Sequence, residues 1–447
     1  MTLKILAGSA LLICTIGLVF ISSNDGLEIE ENLVEWNDKK VIASGDAYQG
    51  PWRMNDSEFH YVDDPAVATD DNGNITVVWA NQKEQDLFLQ RFNSALEPIL
   101  ESPQNISKSP GIFSWLPRIA GDTEDPDKIY ILWQDIEFSG GSHGGEIIFA
   151  RSMDGGTTFS EPINLSNTKA GAGKGRLSRM QWDNGSLDLA VGPKGEIYAV
   201  WTEYEGALMI SRSNDYGENF SSPQRIDGDN EKPARAPSLA MDQKENLHLV
   251  WTVGEDPEAD IRYSVSTDGG ETFAEPALAF ESNDHSDAPR IAVDREGTLH
   301  LVFSEGSGMR MGQYSVKYTR KFNDEEQFGN PVKVSSSHSG QVRSSGFPEI
   351  AINSNDQIFL LWELYTDRSP LPRGMGYTLS VDNGSEFYSP ELLPGSADPQ
   401  YGDHGSRQGS LMNRLALNGS GSVFVVNSTF LEGKSSHIWL NYGQVQH

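Results

Sequence analysis

Ser152-Met-Asp154-Gly-Gly156-Thr-Thr-Phe159 returns three times farther along the chain: as Ser213-Asn-Asp215-Tyr-Gly217-Glu-Asn-Phe220, as Ser266-Thr-Asp268-Gly-Gly270-Glu-Thr-Phe273, and as Ser380-Val-Asp382-Asn-Gly384-Ser-Glu-Phe387. Self-similarity at a period of tens of residues marks a chain of stacked units, none of which can bury its apolar face alone. The parts of each copy have assignable jobs. An Asp carboxylate at a tight turn accepts hydrogen bonds from backbone N–H groups beyond it, the Gly supplies a positive φ, and the Phe is left to fill the gap between neighbouring units. Local turn bonding accounts for Asp154, Asp215, Asp268 and Asp382, so they read as structural and not catalytic. A further copy falls due near Asp324, but Lys321-Phe-Asn-Asp-Glu-Glu-Gln-Phe328 has lost its Ser and Gly.

Around the turns lie strands. Leu187–Val191, Gly195 and Ile197–Trp201 read as a hairpin, because β-branched and aromatic residues cluster between turn formers. Leu208–Arg212 runs into the turn as a third strand and Pro223–Ile226 leaves it as a fourth. Four antiparallel strands per unit, in series, describe the blades of an all-β propeller. The residue closing each second strand counts the blades: Trp79, Trp133, Trp201, Trp251, Phe303, Trp362 and Val426 give seven, with six as the alternative. The last unit stops after Ile438–Tyr442 without a fourth strand, and Lys40-Val-Ile-Ala-Ser44 resembles the fourth strands elsewhere. That strand is predicted to close the ring and hide two sheet edges.

Three segments follow. Residues 1–23 read as a signal peptide or membrane anchor, residues 24–63 as an N-terminal segment with the ring-closing strand, and residues 64–447 as the propeller. Lys4 precedes an uncharged apolar run from Ile5 to Ile21, and acidic residues begin at Asp25, which places the propeller outside the cell whether or not the run is cleaved. The expected location is secreted or on the outer face of a membrane, with membrane contact only through that run. Cys14, the single cysteine, sits inside it, so the propeller has no disulfides. With 34 basic against 64 acidic residues the net charge is −30, which repels nucleic acid and anionic membrane surfaces. A monomer is expected.

Aligning the innermost strands puts Ala66, Arg118, Asp188, Ser238, Arg290, Glu349 and Arg414 at one position around the axis. Arg118, Arg290 and Arg414 are candidates to converge on an anionic group, since guanidinium forks match a carboxylate. In the competing reading, these arginines and Glu349 neutralise one another inside the channel. The face from which the inner strands start, opposite the Asp turns, also receives Phe113-Ser-Trp115, Arg176 to Trp182, His285, Arg343, Tyr401 to His404, Arg407, Gln134-Asp135, His143, Glu203 and Arg373. This is an aromatic and polar wall suited to a sugar. No pair of histidines has zinc spacing. Asp70-Asp-Asn-Gly-Asn74 and Asp122 to Asp127 lack a complete Ca²⁺ loop, so no metal or cofactor is expected, with Ca²⁺ the lesser alternative.

The Ser-x-Asp-x-Gly-x-x-Phe turn after a blade's third strand resembles the Asp-box, or bacterial neuraminidase repeat, of the sialidase superfamily, across units two to six. The resemblance implies an exo-sialidase, a retaining glycoside hydrolase that binds an acidic glycan. Its arginine triad maps onto Arg118, Arg290 and Arg414, its acid/base onto Asp135, its nucleophile onto Tyr401, and the carboxylate that polarises the nucleophile onto Glu349 or Glu203. Leu116-Pro-Arg-Ile119 departs from the family's Arg-Ile-Pro order. Two alternatives stand beside this reading. One is a non-catalytic propeller that binds glycan or protein at the cell surface. The other is a polysaccharide lyase on the same scaffold, using His143 or His285 with a Tyr as base and acid while an Arg neutralises a uronate.

Overall fold

The computed structural model describes residues 33–122, 125–137, 145–169, 171–282, 284–306, 314–335, 342–366 and 371–446. The apolar run and His143 lie outside them. The described residues form a seven-bladed propeller of four-stranded antiparallel blades. The inner strands are Val62–Thr69, Ser114–Gly121, Leu187–Val191, Ala234–Met241, His285–Val293, Val342–Ile352 and Leu415–Leu417, each packed against the next and the last against the first. We call the side on which they start the front face and the side of the Ser-x-Asp turns the back face.

Blade seven is completed from the other end of the chain. Lys40–Gly45 pairs with Ser435–Val445, setting Val41 opposite Trp439 and Ser44 opposite His437. Val34–Trp36 pairs with the far end of the same long strand, a second partner that the sequence reading did not foresee. All seven counting residues are buried, and Trp133, Trp201, Trp251 and Trp362 are fully so.

The repeated turns are built as their chemistry requires. Ser152 Oγ donates to Asp154 Oδ1 (2.8 Å) and accepts from Gly156 N–H (2.8 Å), while Asp154 Oδ1 accepts from Thr158 N–H (2.8 Å). The same network recurs at Ser213, Ser266 and Ser380. Each Phe packs back on the preceding blade: Phe220 meets Phe149 at 4.8 Å and Phe387 meets Tyr318 at 4.7 Å, ring centre to ring centre. In the eroded copy Phe328 still docks on Tyr263 (5.6 Å), so the apolar half of the motif outlasted its polar half.

A second repeat sits in the inner strands. Asp64-Pro65, Leu116-Pro117, Ala236-Pro237, Ala288-Pro289 and Phe347-Pro348 each stand one residue before a ring position, and the five pre-proline residues have φ of 52°, 52°, 50°, 51° and 50°. Left-handed backbone at a non-glycine residue is uncommon, and here it coincides with a register shift in every one of these strands. The resulting bulge re-aims the residue just before it. Those residues are Asp63, Trp115, Arg235, Asp287 and Gly346.

Candidate functional site

The ring position does converge. Arg118, Asp188, Ser238, Arg290 and Glu349 line one axial cavity of about 170 Å³ together with Met412 and Asn413. The guanidinium groups around it already have protein partners, although Arg414 Nη2 makes no hydrogen bond. Arg118 is 2 % exposed, and all three of its nitrogens donate to carbonyls: Nε to Leu187 (3.1 Å), Nη1 to Pro117 (3.3 Å), Nη2 to Gly185 (2.9 Å) and Leu411 (3.0 Å). Burial first, and then the neighbouring Arg290, lower its pKa to about 9. Arg290 donates to the Met412 carbonyl (2.9 Å). Arg414 is held by Glu349 (2.8 Å) and by a short contact to Glu363; against the opposing effect of burial, these two carboxylates raise its pKa. The arginines therefore share a neighbourhood, but as supports of the channel and not as an open fork for a ligand. The segment Leu411–Asn413, which threads across the axis, occupies Arg118 and Arg290, and nothing local in the sequence marks it.

The other residues implied by the resemblance are scattered. Asp135 lies buried in blade two, where Ser114 Oγ (2.7 Å) and Trp133 Nε1 (2.6 Å) donate to it and burial pushes its carboxyl up to about 7. Tyr401 packs edge-on to Trp439 (4.9 Å) in the outer half of blade seven, under the Lys39 ammonium at 4.3 Å. Glu349 serves Arg414. Among the described residues, no hydrogen bond or ion pair joins Asp135, Tyr401 and Glu349 to one another.

A different constellation forms on the front face between blades four and five. Arg235 and Asp287 occupy the re-aimed bulge position of adjacent blades and meet as a fork: Nε lies 3.1 Å from Oδ1 and Nη2 3.0 Å from Oδ2. Arg235 Nη2 also donates to Asp256 Oδ1 (2.9 Å). His285 Nε2 lies 3.2 Å from that same Asp256 oxygen and 3.8 Å from Asp287 Oδ2. The ring of Tyr314 stands edge-on to the imidazole at 5.9 Å. His285 is 2 % exposed, and neither of its ring nitrogens makes a hydrogen bond, whereas Asp256 and Tyr314 reach solvent.

The electrostatics of this cluster separate its members. Burial opposes ionisation of Asp287, but Arg235 and His285 hold its carboxyl well below the usual range. Burial raises Asp256. Burial, reinforced by Asp256, pushes the Tyr314 hydroxyl up to about 12, so it keeps its proton at neutral pH. Asp183, on the hairpin that walls the cluster, is pushed up to about 7 by burial and then by Asp287. Asp256, His285 and Asp287 are also close enough to offer three ligand atoms to one cation. Arg235 already places positive charge between the two carboxylates, which argues against a metal there.

Of this cluster the sequence reading named only His285. Arg235, Asp256, Asp287 and Tyr314 were missed, although the residue–residue–Pro pattern of the inner strands marked two of them.

No protein-family model matches this sequence, and no curated protein is similar enough in sequence to count as a relative. Among solved structures the chain is similar to a polysaccharide lyase of family PL25, an ulvan lyase bound to -[GlcA(1-4)Rha3S]-, at 12 % identity and TM-score 0.54 over 90 % of this chain and 95 % of that one. It is similar to the polysaccharide lyase Uly1 at 9 % identity and TM-score 0.56, over 92 % of this chain and 100 % of that one. An intramolecular trans-sialidase from Ruminococcus gnavus aligns at 11 % identity and TM-score 0.46, over 69 % of this chain and 91 % of that one. At these identities the likeness shows the fold alone, and it does not single out the sialidases.

Proposed function

We propose that this chain is an exported propeller enzyme that binds an acidic polysaccharide across its front face and cleaves it by β-elimination beside a uronate. The observation that carries the reading is the grouping of His285, Asp256 and Tyr314 with Arg235. The imidazole has a carboxylate oxygen 3.2 Å from Nε2, no hydrogen bond at either ring nitrogen and a protonated phenol edge-on to it. In the reaction a base removes the proton on the carbon next to the uronate carboxylate. The glycosidic C–O bond then breaks to leave a C=C bond in the new terminal sugar, and an acid returns a proton to the departing oxygen. His285, oriented by Asp256, suits the base, and Tyr314 suits the acid because its hydroxyl stays protonated. Arg235, forked on Asp287 and bonded to Asp256, fixes the two carboxylates on either side of the imidazole. That solved structures of similar fold are described as polysaccharide lyases, one of them an ulvan lyase, supports the choice of reaction.

Hydrolysis of the sialidase type has less support, because Tyr401 and Asp135 sit apart and the arginines are spent on carbonyls and carboxylates. The test is the ultraviolet absorbance of an unsaturated uronate during incubation with uronate-containing polysaccharides. Turnover by the wild type that falls by roughly a hundredfold or more in His285→Ala and Tyr314→Phe is expected, the size of one acid/base contribution. New reducing ends without absorbance would replace elimination by hydrolysis. Binding without any product would leave a non-catalytic glycan-binding propeller.

A further inference from the structure

The segment between Glu161 and Asp183 carries Lys169, Lys174, Arg176 and Arg179 and no acid, in a chain whose acids outnumber its bases 64 to 34. Its structured part is an extra hairpin of blade three, Lys174–Ser178 paired with Gln181–Asn184, which belongs to none of the four-stranded sheets. The hairpin is bound to the candidate site through its backbone. The Leu177 carbonyl accepts from Asp256 N–H (2.9 Å), and the Arg176 carbonyl accepts from Arg235 Nη1 (3.2 Å). One of its cations is already committed, since Arg176 pairs with Glu255 (2.9 Å) and donates to Asn230 (2.8 Å).

Lys174 and Arg179 differ from it. Neither has an ion-pair partner among the described residues, and Arg179 is exposed, as is Lys169 at the hairpin's base. Lys174 is partly buried, and burial is what lowers its pKa, with no carboxylate acting against it. A half-desolvated ammonium without a counter-charge is an unfavourable arrangement that an incoming anion relieves. Beside these cations Trp182 stacks on Tyr204, with ring centres 4.6 Å apart and planes inclined by 19°.

We infer that this hairpin is a second anion-binding subsite, at which Lys174 at its open end and Arg179 at its turn hold sulfate or carboxylate groups of the same glycan chain one or more sugars away from the cleaved linkage. The inference rests on the proposed reading of the Asp256–His285 cluster as the site of cleavage. A net charge of −30 repels a polyanion over most of the surface, so an acid-free basic segment attached to the candidate site directs where such a chain lies. A subsite displaced along the chain implies binding to the interior of a polymer, not to its end. It also makes the substrate repeatedly charged, not singly so.

The test is equilibrium binding by the full chain, which needs no turnover. The probes are dextran sulfate, which carries sulfate only, polygalacturonate, which carries carboxylate only, and neutral dextran. At low ionic strength the wild type is expected to bind at least one polyanion, and the Lys174→Ala/Arg179→Ala double variant to bind it roughly tenfold less tightly. The difference should vanish near 1 M salt, where screening acts over about 3 Å. Loss confined to dextran sulfate assigns the subsite to sulfate, and loss confined to polygalacturonate assigns it to carboxylate. Equal binding by wild type and variant, or no binding of either polyanion by the wild type, overturns the inference. Because these outcomes do not depend on unsaturated product, a negative elimination assay leaves this result readable on its own, and the reverse also holds.

Discussion

Arg118 and Leu411 are joined across the axis of the ring: the guanidinium of blade two donates to a carbonyl 293 residues away, at 3.0 Å. The bond makes Arg118 a brace for the segment that crosses the channel. Replacing it with Ala leaves the carbonyls of Leu187 and Leu411 buried without a donor, while Gly185 keeps only the Leu187 N–H. We expect Arg118→Ala to lose on the order of 3 kcal/mol in denaturant unfolding, since each unsatisfied buried polar group costs about 1–3 kcal/mol. A variant of wild-type stability that had lost glycan binding would instead return Arg118 to the role of substrate ligand.

Breaking the Glu349–Arg414 pair should be costly for a different reason. Glu349→Gln leaves Arg414 with one carboxylate, Glu363, where it had two. Removing a partner from a buried ion pair typically costs about 3–5 kcal/mol, and Glu363 should spare part of that. Thermal unfolding at neutral pH checks the expectation, and an unchanged midpoint would show the pair to be dispensable.

Asp135 is expected to make stability depend on pH. Its folded pKa, about 7, is above that of an unfolded Asp. Between the unfolded and folded values the native state therefore binds the extra proton, and stability falls as pH rises from about 4 to about 7. Asp135→Asn keeps an oxygen for Ser114 and Trp133 and removes the titration. We expect it to match the wild type near pH 4 and to exceed it at pH 8 by on the order of 2 kcal/mol. Equal pH profiles of unfolding in the two proteins would refute this.

The repeated turn should show a division of labour. Phe220→Ala removes the ring packed on Phe149 and is expected to cost about 3–5 kcal/mol. Gly384→Ala is expected to be at least as harmful, because a Cβ there would lie 1.9 Å from the Tyr318 hydroxyl on a backbone with φ of 75°. Asp215→Asn should be mild at neutral pH. Hydrogen bonds from Asn219 and Ser213 depress its pKa to about 2, so its contribution is present above the unfolded value near 4 and fades as pH falls toward 2. Unfolding curves of the three variants at pH 7 and pH 3 would show a reversed order if the turn's polar atoms were the essential half.

These cases show what a sequence can and cannot disclose. The blades were legible because their signals are local: a turn within eight residues, a Trp at a strand's end, and a spare strand at Lys40 that matches a missing one. The convergence of Arg118, Asp188, Ser238, Arg290 and Glu349 followed from aligning equivalent strands, since a ring turns equal positions into neighbours. The direction in which a guanidinium points was not legible, because Arg118 answers to Leu411 and Arg290 to Met412, partners set by how one connection crosses the axis. Arg235 and Asp287 were visible in principle. Each stands two residues before a proline that recurs in five inner strands, but only the backbone's left-handed turn there tells which way they face.

The connection through Met412 and Asn413 has one more effect. A wheel of this kind usually suggests a bore through which water or ions could travel, and here Met412 and Asn413 line the hub itself. Passage through it would have to displace that connection, and with it the bonds that Leu411 and Met412 accept from Arg118 and Arg290.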